Sequence, residues 1–87
     1  MNNNYEGSVA ELGTEDWSEP FDVVAPTPEI AAEKAAVAAA KFSQLITSPY
    51  PYSAKVRETT PDGTPISDWF YFKGSVKRVY QATVEAA

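Results

Sequence analysis

The chain has no cysteine and no histidine among its 87 residues. Without cysteine there are no disulfides, no thiolate zinc sites and no thiol nucleophile, and a small domain lacking disulfides fits a reducing cytoplasm. Without histidine the commonest general base and the commonest metal ligand are gone. Long apolar runs are also missing, and nothing approaches the roughly 20 residues that a membrane-spanning helix needs. The start, Met1-Asn2-Asn3-Asn4, offers neither the basic region nor the apolar stretch of a secretory signal, and residues 1–4 are expected to fray. Glycine-rich phosphate loops and serine–base pairs of recognisable spacing are absent from the sequence. Adjacent carboxylates such as Glu15 and Asp16 fall in a turn, where nothing tunes their acidity. The expectation is a noncatalytic chain with no cofactor and no metal.

What is present suffices for one domain over residues 1–87. The composition is 44% hydrophobic and 13% aromatic, enough to fold without staples. A chain of this size buries about 60–65% of its unfolded surface, which allows a modest core. Net charge is −5 and unevenly placed. Residues 1–53 hold eight acids against Lys34 and Lys41, whereas residues 54–87 hold five bases against four acids. A basic partner would meet the first part and an acidic partner the second.

One helix is plain. Thr27 can cap it, Pro28 suits its first position, and Glu29 complements the positive end of the helix dipole. From Ile30 to Ile46 there is no glycine or proline, and Pro49 stops the run. Its apolar face is expected at Ala31, Ala35, Ala38, Phe42, Leu45 and Ile46, flanked by Ile30 and Val37.

Either side of the helix, the pattern alternates with the period of a strand. Tyr5–Leu12 reads as one strand and Trp17–Ala25 as another, with Phe21 and Val23 opposite Asp22 and Val24, and with Pro20 marking an edge or a late start. Tyr52–Thr59 places Ala54 and Val56 inward and Ser53, Lys55, Arg57 and Thr59 outward. Pro61-Asp62-Gly63 then makes a turn, Ile66–Phe72 a strand, Gly74 a break, and Val76–Val84 the last strand. The expected architecture is α+β, β-β-α-β-β-β, an antiparallel sheet of four to five strands with one helix on one face.

A single helix covers one face only, and Trp69-Phe70-Tyr71-Phe72 puts two aromatics on each. One pair should lie under the helix. The other is either half covered by its neighbours or forms an apolar patch for association, with a second copy among the candidate occupants. Three groups of residues therefore compete as a contact surface. The acids Glu11, Glu15, Asp16, Glu19, Asp22, Glu29 and Glu33 could engage a basic protein or imitate phosphates. Trp69 and Tyr71 could anchor that contact. Lys55, Arg57, Lys77 and Arg78, beside aromatic residues, could instead bind a single-stranded nucleic acid. Lys73-Gly74 opens like an RNA-recognition strand motif, but Ser75 and Lys77 stand where that motif needs aromatics.

The strand Phe21-Asp22-Val23-Val24-Ala25, the helix Ala31-Ala32-Glu33-Lys34-Ala35-Ala36 and the hairpins after it give the chain a look that resembles small bacteriophage inhibitors of the anti-CRISPR and host-takeover type. The resemblance covers the whole chain and carries no residue-level motif. It implies a cytoplasmic protein in a bacterial host that occludes a site on a nuclease complex or polymerase. The expected function is thus a protein-binding module of that kind. The alternatives are a single-strand binder and a phage structural or dimerisation subunit.

Overall fold

A computed structural model describes residues 2–43, 50–76 and 82–87. Five strands and one helix run in the order β1 (Asn3–Glu11), β2 (Phe21–Ala25), α1 (Pro28–Ser43), β3 (Tyr50–Thr59), β4 (Phe70–Val76) and β5 (Glu85–Ala86). The strands form one antiparallel sheet in the order β2-β1-β3-β4-β5, so the α+β architecture expected from the sequence holds. Since β2 and β3 both run antiparallel to β1, they are parallel to each other, and α1 carries the chain across β1 between them.

The helix begins as its sequence dictates. Thr27 accepts the Ile30 N–H on its hydroxyl at 3.2 Å, satisfying a donor that the first helical turn leaves free, and its carbonyl takes the Ala31 N–H at 3.0 Å. Five alanines, Ala31, Ala32, Ala35, Ala36 and Ala40, lie buried against the sheet. The sheet supplies the bulk of the core through Tyr5, Val23, Tyr52, Val56, Phe72 and Val76. Alanines lose no rotamer freedom on burial and let the helix axis approach closely. At Gly7 the approach is close, since a Cβ there would stand 3.0 Å from Ala35 Cβ and 3.1 Å from Val56 Cγ1.

Several boundaries differ from the expected ones. Asn3 and Asn4, expected to fray, pair with Ala25 and Val24. The second strand starts only at Phe21, as Pro20 required, and residues 17–20 form no strand. The buried helix face runs through Ala32, Ala36 and Ala40, while Ala38 and Val37 are only half-buried. Leu45, Ile46 and the Phe42 side chain lie outside the described residues. Strand β4 begins at Phe70 rather than Ile66 and continues through Gly74. The strand expected over Val76–Val84 falls partly outside the described residues. Beyond them, Ala82 bridges to Val76 and the chain closes on the two-residue β5. Thr59, expected outward, is buried because residues 60–69 fold back over the end of β3. Pro65 bridges to Thr59, and the Ile66 N–H reaches the Glu58 carbonyl at 2.9 Å.

That return is tightly made. Gly63 has φ +95, and the Thr64 N–H reaches both the Thr60 hydroxyl at 3.1 Å and the Asp62 carboxylate at 3.2 Å. Thr60 in turn donates its hydroxyl to Asp62. This bond first, and then those from Thr64, hold the Asp62 carboxyl below the usual carboxylate range.

Candidate functional site: the open face of the sheet

The helix covers the face bearing Tyr5, Gly7, Tyr52, Ala54 and Val56. The opposite face is set by the register. Glu6 pairs with Asp22 and Arg57, Ser8 with Lys55, and Lys55 with Tyr71, while Ser53 stands opposite Lys73. All these side chains point away from the helix; Ser8 is buried there, and among the described residues no helix or strand covers the face.

Two loops deliver tryptophans to this face. Between β1 and β2, Gly13 (φ +89) turns the chain at Glu11–Thr14. Ser18 then ties the loop back to β1, giving its N–H to the Val9 carbonyl at 2.9 Å and taking the Val9 N–H on its hydroxyl at 3.1 Å. Trp17, next to this clamp, lands with its ring 6.4 Å from that of Tyr71 at an interplanar angle of 60°, a tilted aromatic pair. On the other side, Ser67 accepts the Glu58 N–H at 2.8 Å, which sets the loop that carries Trp69 beside β3.

The cations occupy the spaces between the rings. Lys55 Nζ sits 4.9 Å from the Trp17 ring centre and 4.6 Å from that of Trp69, and the Arg57 guanidinium lies 4.3 Å from Trp69. Each such contact is worth about 0.5–1 kcal/mol where exposed and about 2 kcal/mol when desolvated. Arg57 also pairs with Glu6 through Nε. The face thus reads Glu6, Arg57, Trp69, Lys55, Trp17, Tyr71. The tryptophans are half-buried, whereas Tyr71 remains 53% exposed at the end of the row.

The sequence-derived candidates divide between the two sides of the molecule. Trp69, Tyr71, Lys55 and Arg57 come together on the open face. Glu11, Glu15, Asp16 and Glu19 are exposed in and beside the loop that holds Trp17, and Asp22 is exposed on the same side of β2. Glu29 and Glu33 sit on α1, behind the sheet, so one flat partner cannot cover both them and Trp69 with Tyr71. Lys77 and Arg78 lie outside the described residues. The Phe70–Phe72 pair is on the helix side as one pair had to be, with Phe72 buried and Phe70 exposed at the rim.

Trp17 and Glu6 join the face without being candidates from the sequence. The signal for Trp17 is its setting, a large ring between Asp16 and Ser18 just past a turn, where only a surface to lie on makes such a residue favourable. Reading residues 17–25 as one strand hides it.

No family model, curated protein or solved structure matches this chain. The face must therefore be read from its own chemistry. It presents flat rings, ammonium and guanidinium groups and a carboxylate, a set suited to gripping a surface. Among the described residues no three acidic side chains gather as a metal site, and no helix is long and apolar enough to cross a membrane.

Proposed function

We propose that this chain is a noncatalytic protein-binding module whose contact surface is the open face of its sheet. The observation that carries this reading is the collection of Trp17, Trp69 and Tyr71 around Lys55 and Arg57 on a face with no covering element among the described residues. Tryptophan, tyrosine and arginine are the residues that dominate binding energy at protein interfaces, and here Ser18, Ser67 and the β3–β4 register hold them in place beforehand. The acidic loop at Glu15, Asp16 and Glu19 lies at the rim of this face, where charge adds little affinity. The resemblance to phage inhibitors directs the search for the partner to bacterial nucleic-acid-handling complexes.

The test compares what immobilised variants retain from a bacterial lysate. Tyr71→Ala and Lys55→Glu should each abolish retention of a specific protein, while Glu29→Lys with Glu33→Lys should leave it intact. Retention lost only with the helix variant would move the contact surface to the other side of the molecule and refute this reading.

A further inference from the structure

We infer that the occupant of the open face is an extended, acidic protein segment, one that sets carboxylates at alternate positions so that they share one side. The inference rests on the open face being the contact surface and adds the chemistry of what binds there.

Its basis is a difference between the cations of the face. Arg57 has its counter-ion in Glu6. Lys55 and Lys73 have no carboxylate partner among the described residues. Lys55 rests on two tryptophan rings, and Lys73 is exposed. The register places Lys55 opposite Tyr71 and Lys73 two residues further along β4, so the two lysines are diagonal neighbours on one face. Such neighbours stand about 7–8 Å apart. An extended chain repeats its same-side residues at nearly that distance, about 6.5–7 Å. Carboxylates at positions i and i+2 of such a segment share its sheet-facing side at nearly the spacing of the two lysine positions, while the intervening side chains point away from the face.

Two other occupants fit less well. A second copy docked with its two-fold axis at Lys55 would bring that patch against itself and oppose like charges. A single-stranded nucleic acid would also satisfy the lysines. However, its unbroken run of phosphates must also pass the exposed carboxylates of Glu15, Asp16, Glu19 and Asp22, whereas a protein segment can confine its carboxylates to the two lysines. The cations, moreover, already lie on the tryptophan faces that bases would need for stacking.

The chain has two tryptophans, Trp17 and Trp69, and both belong to this face, so its intrinsic fluorescence reports occupancy directly. The intact protein is titrated with three probes: a short peptide alternating aspartate with leucine, its asparagine counterpart, and a short oligothymidylate. The aspartate peptide should produce a saturable change that salt weakens. The asparagine peptide should bind at least about tenfold more weakly, as should the aspartate peptide to a Lys55→Met, Lys73→Met variant whose far-ultraviolet spectrum is unchanged. Equal affinity for the asparagine peptide would overturn the acidic requirement while leaving the face as a protein-binding surface. Tighter binding of the oligothymidylate would replace the inference with nucleic-acid recognition. No saturable change with any probe would reject it outright, whereas the lysate comparison tests the contact surface independently of any peptide.

Discussion

Replacing Gly74 by alanine should destabilise the protein by dislodging its last segment from β4. A Cβ at this position would lie 1.9 Å from the Thr83 carbonyl oxygen and 3.0 Å from the Tyr52 hydroxyl. No side chain can yield there, because the first obstacle is backbone. Thr83 must retreat, and two bonds go with it: the Tyr52 hydroxyl to the Thr83 carbonyl at 2.6 Å, and the Thr83 N–H to the Ser75 carbonyl at 3.1 Å. Leaving the buried tyrosine hydroxyl without its acceptor costs about 1–3 kcal/mol, and the backbone bond adds about 0.5–1.5 kcal/mol. Alanine returns about 0.5–1 kcal/mol by restricting the unfolded chain and suiting a strand better than glycine. The net loss is about 2 kcal/mol, or a melting temperature lower by roughly 8–16 °C for a domain of this size. Tyr52→Phe alone should cost about 1 kcal/mol. Because both changes act through Thr83, the double variant should be milder than the sum by about 1 kcal/mol. Thermal unfolding of the three variants by circular dichroism decides it. Additivity within about 0.5 kcal/mol, or an unchanged melting temperature for Gly74→Ala, would refute the argument.

The core and the helix yield three further outcomes. Gly7→Ala should cost about 1–3 kcal/mol through overpacking against Ala35 and Val56, measurable by urea titration, and combined with Ala35→Gly it should cost less than the two single changes summed. Thr27→Ala should cost about 1 kcal/mol by freeing the Ile30 N–H, seen as a lower denaturation midpoint with unchanged slope. Burial first, and then the negative charge of Glu33, push the Tyr52 hydroxyl up to about 12. The unfolded chain gives up that proton near the ordinary tyrosine value of about 10, so the stability Tyr52 contributes is whole below that pH and is lost as pH rises toward 12. The loss amounts to at most about 3 kcal/mol, and tyrosinate absorbance against pH should lose a late component on Tyr52→Phe.

The parts of the fold legible in the sequence are those where one residue type has one physical use. Thr27 and Pro28 mark the helix start, Pro61-Asp62-Gly63 the turn, and the alternation from Tyr52 to Arg57 the two faces of β3. The buried stripe of α1 is less legible because alanines surround that helix on several sides, and a period needs contrast to be read. Ala32, Ala36 and Ala40 are chosen by the sheet they meet, not by their own hydrophobicity. Gly74 has the look of a break because glycine usually interrupts a strand. Here it continues one, since Thr83 passes where a side chain would be. At the site, Tyr71, Lys55 and Arg57 are readable from strand alternation, whereas Trp69 reaches the same face from the loop before β4. Trp17 is not, because its place on the face is set by the hydrogen bonds of Ser18 to Val9, a contact between loop and strand that no local pattern encodes.

The most direct test of the open face as the contact surface is lysine footprinting of the chain, free and bound to a protein it retains, by acetylation and mass spectrometry. Lys55 and Lys73 should lose reactivity in the complex, while Lys34 and Lys41, on the helix behind the sheet, should react as in the free chain. Protection of the helix lysines with Lys55 and Lys73 unchanged would contradict the account.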